Sequence, residues 1–214
     1  MNVRIFSLIS YILLQLSPPA CLASNPKPAP KKLRVDMGDN CVIQINDYFN
    51  GELTSKAPNM AGYVSKKSPS KTPQFRFGVQ FLCGDNPASG YNSISKEYGA
   101  AFDSVRGRWN SIFPYTPDER AARELRSATL TYSLSAINSN GFYSTQDPID
   151  GEPRWRVRVA TYCLFGKKKH VCGLMRVMRI SEPKTNQLPY ILKILRSVEF
   201  LEPDTFDDGK SIAP

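Results

Sequence analysis

The sequence predicts an α+β domain, an antiparallel β-sheet with one long and one short helix packed on one face. Three observations carry that prediction. Several segments alternate apolar and polar residues with the period of two that a half-buried strand requires. One early segment carries its apolar residues at steps of three and four, the helical period, and a shorter one does so near the end. The strand-like segments follow one another in runs, without the regular strand–helix alternation of a parallel sheet. A chain of 214 residues, 41% apolar and 22% charged, suits a single globular domain.

Residues 1–23 read as a secretory signal peptide. Arg4 is the only charge among them, Ile5 to Leu16 is mostly apolar, and Pro18 and Pro19 break any helix. Cys21-Leu22-Ala23 then offers small residues at the two positions a signal peptidase reads. The apolar run falls short of the about 20 residues that span a bilayer core. Lipidation at Cys21 is the minor alternative, but Pro18 stands where a lipobox carries a leucine-like residue. Export places the protein in the periplasm or outside the cell, and the lack of any Asn-x-Ser/Thr sequon leans towards the periplasm. Residues 24–32 form a Pro/Lys-rich leader, 33–201 the single domain, and 202–214 an acidic C-terminal tail.

Within the domain, Cys41 to Phe49 and Phe75 to Cys83 alternate as strands, the second with Phe75, Phe77, Val79 and Phe81 on one face. Asn92 to Phe113 reads as the long helix, with Ile94, Tyr98, Phe102, Val105, Trp109 and Ile112 in helical register. Asn92 or Ser93 can cap it and Pro114 stops it, while Gly99 and Gly107 each weaken it by about 1 kcal/mol relative to alanine. Ala128 to Ala136 alternates again, and Asn140-Gly141 has the composition of a tight hairpin turn. Trp155 to Phe165 and His170 to Ile180 follow as two long strands, then a short helix from Leu188 to Leu195 and a last strand from Ser197 to Leu201.

The segment from Gly166 to Lys169 is a turn, and a two- or a four-residue loop both put Phe165 opposite His170. That register sets Cys163 opposite Cys172, a non-hydrogen-bonded pair for the two-residue loop, where side chains approach most closely. A disulfide across the hairpin fits, and Cys41 is left to pair with Cys83. Four cysteines allow three connectivities, and an exported chain favours disulfides over metal ligation. The same register sorts the two faces. Trp155, Val157, Val159, Thr161, Cys163 and Phe165, with Cys172, Leu174, Met178 and Ile180, make the expected core face. The opposite face carries Arg154, Arg156, Arg158 and Arg179, then Tyr162, Leu164, Met175 and Val177. Those four arginines with Tyr162 are the candidate binding residues, because Arg and Tyr are over-represented in interface hot spots. The bland alternative is a solvated sheet face with arginines protecting its edge.

Several chemistries are excluded or left without a motif. His170 is the only histidine, so no two-histidine metal centre exists, and no metal or cofactor is expected. A Ser-His-Asp triad would need His170 at a hairpin tip beside three lysines, a poor place for an oriented base. Asp36 with Asp39, and Asp147 with Asp150, read as turns, lacking the oxygen density of a calcium loop. The lysine clusters lie in loops without a recognition helix, so no nucleic-acid partner is expected. Lys and Arg number 28 against 19 Asp and Glu, a net +9. In an exported protein, such a surface meets anionic lipid, peptidoglycan or an acidic protein.

Two resemblances bear on function. The late hairpin followed by LPYILKILRSVEFLE, Leu188 to Glu202, resembles the ending of small exported PsbP/Mog1-like domains, where a helix returns the chain to the sheet. That resemblance implies a non-enzymatic binding scaffold. The combination of signal peptide, disulfides and charged sheet face, without a catalytic motif, is similar to type VI secretion immunity proteins of the periplasm. The leading expectation is therefore a non-enzymatic immunity or inhibitor protein that neutralises an acidic toxin or enzyme. An envelope accessory protein is the second reading, and a small secreted hydrolase the third.

Overall fold

The computed structural model describes residues 29–66, 76–113 and 118–202. The signal-peptide reading of residues 1–23, most of the leader and the tail beyond Glu202 lie outside the described residues. The described chain opens with β1 (Lys31–Asp36), β2 (Val42–Asp47), β3 (Glu52–Ala57), β4 (Met60–Val64) and β5 (Gly78–Asp85). Next come α1 (Asn92–Glu97), β6 (Ala100–Asp103), β7 (Arg108–Ser111), α2 (Glu119–Ala128), β8 (Thr129–Ser135) and β9 (Asn140–Gln146). The last elements are β10 (Val157–Phe165), β11 (Lys169–Arg179), α3 (Leu188–Leu195) and β12 (Glu199–Leu201). All pairings are antiparallel. One sheet has three strands in the order β1-β2-β12, a second has seven in the order β3-β4-β5-β11-β10-β9-β8, and β6-β7 form a separate hairpin. Lys31 and Lys32, assigned to the leader, are already part of β1.

The strand pair β10–β11 has the register that the sequence sets: Phe165 opposite His170 and Cys163 opposite Cys172. Gly166 N donates to Lys169 O at 2.8 Å, so Lys167 and Lys168 form a two-residue turn. Disulfides join Cys163 to Cys172 and Cys41 to Cys83. The Cα separation of 4.1 Å across the first is that of a non-hydrogen-bonded pair. The second joins the residue preceding β2 to β5, linking the three-stranded sheet to the seven-stranded one.

Both faces of the hairpin are buried: Cys163, Phe165 and Cys172 lie in a core as expected, but so does the face expected in solvent. Tyr162, Leu164, Met175 and Val177 are buried in the main core with Ile43 and Ile45 of β2 and Ile191, Ile194 and Leu195 of α3. Cys163, Phe165 and Cys172 project the other way, into a smaller cluster with Phe142 and Ala100, against which Ile94, Tyr98 and Trp109 pack. Trp155 and Leu174, expected in the core, are 65% and 55% exposed. Alternate residues of β10 thus feed two cores, and α1 and α3 serve different ones; the helices do not share a face.

The long helix is replaced by a helix and a hairpin. α1 stops at Glu97, and Gly99 adopts φ +79° and Gly107 φ +61°, left-handed backbone that a continuous helix cannot contain. The helical spacing of Ile94, Tyr98 and Trp109 is real burial, reached through a turn and two short strands instead. α2 is unforeseen because its apolar stripe, Ala121, Ala122, Leu125 and Ala128, is made almost wholly of alanine and only half-buried, a weak signal against six charged or polar neighbours. Its start is set by Asp118, whose Oδ1 accepts from Ala121 N at 2.7 Å.

Asn140-Gly141 is not the turn. Ser135 pairs with Asn140, and Ala136 N donates to Ser139 O, so Ile137 and Asn138 turn the chain. Gly141 lies inside β9, where a Cβ would collide with the backbone carbonyl oxygen of Cys163. A backbone neighbour held by two ladders cannot give way. Gly141→Ala should therefore destabilise the fold by about 2 kcal/mol or more, at the upper end of ordinary point substitutions. Urea unfolding checks it: an unchanged midpoint would mean that β9 stands further from β10 than described.

Candidate partner-binding surface

The four arginines do not form a free stripe. A register shift between Arg158 and Val159 sets Arg158 opposite Met178 and Val157 opposite Arg179, so Arg179 lies on the face of Val157 and not of Arg158. Arg158 makes a bidentate pair with Asp147, Nε to Oδ1 at 2.6 Å and Nη2 to Oδ2 at 2.7 Å. Arg156 Nε donates to Gly151 O at 3.0 Å. Arg154 pairs with Glu152 at 2.9 Å and covers the Trp155 ring, while Arg179 pairs with Glu182 at 3.4 Å. Arg154, Arg158 and Arg179 each pair with a carboxylate and Arg156 with a neutral carbonyl, and the register shift sets Arg179 apart from Arg158. Tyr162 is fully buried, its hydroxyl donating to Gln80 O at 2.7 Å across Gly173, and it anchors the core instead of a partner.

A second candidate surface is the β6–β7 hairpin. At its tip, Asp103 Oδ1 accepts from both Val105 N and Arg106 N at 3.1 Å, and Gly107 closes the turn in the left-handed region. Arg106 also pairs with Asp103 at 3.8 Å. This turn holds Val105 at 94% exposure, with Arg106 and Arg108 exposed beside it. At the base, the side chain of Asn92 brackets Phe102, Oδ1 accepting from its N–H at 2.7 Å and Nδ2 donating to its carbonyl at 3.3 Å. Rings continue the support into the sheet: Phe102 on Trp109 at 5.1 Å, Trp109 on Phe142 at 4.8 Å, and Tyr91 on Phe165 at 4.6 Å. Tyr91 and Phe102 keep part of their rings in solvent. The result is a hydrogen-bonded turn that exposes Val105 beside basic residues, on a base of packed rings. The visible trace in the sequence is Asp103-Ser104-Val105-Arg106-Gly107, an Asp-to-Gly turn placed where the helical spacing of apolar residues conceals it.

His170 is not the turn-surface residue its neighbours suggest. Its ring is buried over Gly84, where a Cβ would lie 2.8 Å from Cε1, and Nδ1 has no hydrogen-bond partner. No carboxylate orients this imidazole as a triad base requires. Among the described residues, no group of three His, Cys, Asp or Glu side chains is placed to hold a metal ion.

Comparison with family models, curated proteins and solved structures gave no match.

Burial pushes the His170 pKa below its ordinary value, against the weaker pull of a hydrogen bond with the Asp85 backbone and of the Asp85 and Glu97 carboxylates. Below about pH 6.5, the ordinary imidazole value, the unfolded chain takes up a proton that the folded chain does not. Stability should therefore be full above that pH and fall as the pH drops towards the lowered folded value. With one histidine in the chain, the window above the carboxylate range belongs to this residue. Urea midpoints should decline between about pH 7 and 5, and His170→Gln should flatten that decline whatever it does to the absolute stability. An equal slope in both proteins would refute the assignment.

Proposed function

We propose that this chain is an exported, non-enzymatic inhibitor or immunity protein that blocks a toxin or enzyme by inserting the β6–β7 tip into the partner's cleft. The supporting observation is the preorganised tip, in which Asp103 and Gly107 fix the backbone that holds Val105 outward, with Arg106 and Arg108 following it in the chain. Rigid presentation lowers the ordering cost of association, so a small apex contributes affinity that a mobile loop would not. An exposed apolar apex calls for a concave partner, and Arg106 and Arg108 call for acidic groups on its rim. Two disulfides suit an oxidising compartment such as the periplasm, and no helix of the described residues is long and apolar enough to cross a membrane.

A second reading, an envelope accessory protein of the PsbP/Mog1 kind, draws on the late order of hairpin, helix Leu188–Leu195 and strand Glu199–Leu201. Inhibition separates the two, since an accessory protein would bind its partner without abolishing its activity.

A photo-crosslinking residue at position 105 of the exported protein should capture an acidic enzyme or toxin, and the purified protein should inhibit it. Val105→Asp with Arg106→Glu should weaken binding at least about tenfold, or about 1.4 kcal/mol, and restore the partner's activity. Arg154→Glu with Arg156→Glu should leave inhibition intact. Crosslinks from positions 154 or 156 alone, or a captured partner that stays active, would overturn the inhibitor reading.

A further inference from the structure

A second feature, remote from the hairpin tip, has the form of a small-molecule site. A cleft of about 530 Å³ opens where the two sheets meet at the β10–β11 turn. That volume lies in the range of ligand pockets and is small for a folded partner. Its apolar surface comes from Val42 of β2 and from Phe200 and Leu201 of β12. Opposite them stand Lys167, Lys168 and Lys169.

The lysines are held in place by their backbone. Asn86 N donates to Lys168 O at 2.9 Å, and Asn86 Nδ2 donates to Gly166 O at 2.8 Å. Phe200 packs on Gly166, where a Cβ would lie 2.9 Å from its ring. Lys169 is already neutralised by Asp85 at 2.8 Å. Among the described residues, Lys167 and Lys168 have no carboxylate within ion-pair distance, although Glu202 lies at the cleft mouth. Among the described residues, two ammonium groups without an ion pair thus stand with the Glu202 carboxylate at a cleft that has an apolar floor.

We propose that this cleft binds a single-chain amphipathic anion, with an acyl chain along Val42, Phe200 and Leu201 and a carboxylate or phosphate head at Lys167 and Lys168. A lysine ammonium reads charge without the planar geometry of a guanidinium, so either head group satisfies the site. The apolar floor distinguishes the ligand from a free phosphate or a nucleic-acid backbone, neither of which would use it. This site is independent of the inhibitor reading.

Calorimetric titration of the full exported protein tests it, with dodecanoate and dodecyl phosphate below their micelle concentrations. Saturable binding of either at one site per chain is expected, and the tighter of the two distinguishes a fatty acid from a phosphate-headed lipid as the source. Equal affinity would mean that the head is read as charge alone. Hexanoate should bind at least about tenfold more weakly than dodecanoate, because it leaves part of the floor uncovered. Lys167→Ala with Lys168→Ala, both in an exposed turn, should weaken binding at least about tenfold and leave inhibition of the hairpin's partner unchanged. The proposal fails if neither probe saturates, if dodecyltrimethylammonium binds as well, if hexanoate matches dodecanoate, or if the double variant binds as tightly as the wild type.

Discussion

Strand β10 has to supply alternate side chains to two different cores, and the rest of the molecule is arranged around that demand. Tyr162 and Leu164 point towards the three-stranded sheet and α3, while Cys163 and Phe165 point towards α1 and the β6–β7 hairpin. A strand buried on both faces must be central, and it is: β11 lies on one side and β9 on the other. Tightness follows from the same position. Gly141 lets β9 pass the Cys163 carbonyl, and Gly173 leaves room for the Tyr162 ring to reach Gln80 O. The small cluster on the second face is the platform from which the hairpin projects. Its rigidity is therefore a property of β10 as much as of its own turn.

Two-sided burial also explains what the sequence made legible. Period-two alternation locates a strand and fixes its register, and the Phe165–His170 pairing, the Cys163–Cys172 bridge and the run from Leu188 to Leu195 follow from local pattern, while Cys41–Cys83 follows only by elimination. Alternation cannot say which side is outside when both sides are apolar, so Tyr162 was assigned to solvent and Leu174 to the core. The arginine stripe depended on an unbroken register, and a single shift at Arg158/Val159 dissolves it; a bulge leaves no mark in the pattern. In the segment from Asn92 to Phe113, helical spacing outweighed two glycines. Their left-handed conformations turn the same residues into a hairpin whose base contacts the same cluster. The edge helix Glu119–Ala128 fully buries no residue, and its half-buried stripe of Ala121, Ala122, Leu125 and Ala128 is too small in side-chain volume to stand out from its charged neighbours.

The charge of the protein divides into two populations with different consequences. The arginines near the Trp155 end hold irregular connections in place: Arg158 ties β10 to the end of β9 through Asp147, and Arg156 holds the Gly151 carbonyl. Such contacts fix local geometry, and where the partner is a carboxylate, as at Arg158, they also offset the charge. Lys167, Lys168 and Arg106 stand on turns whose backbones are fixed by Asn86 and Asp103, and Arg108 opens β7 beside the second turn; Arg106 keeps an exposed pair with Asp103. Position on a rigid turn, more than the overall excess of basic residues, decides which charges are available to another molecule.

The Cys41–Cys83 bridge spans 42 residues of chain, enclosing β2, β3, β4 and most of β5. Any single peptide bond cut between these cysteines leaves both halves attached through the sulfur atoms. A protease in the surrounding compartment could nick that stretch without releasing a fragment, and the broken strands would keep their neighbours at high effective concentration. The presenting hairpin lies outside this loop and outside the short Cys163–Cys172 ring. A cut at its tip, as anywhere between Cys83 and Cys163, would separate two pieces held only by packing and hydrogen bonds, so hydrolysis at this exposed apex would have a lasting effect.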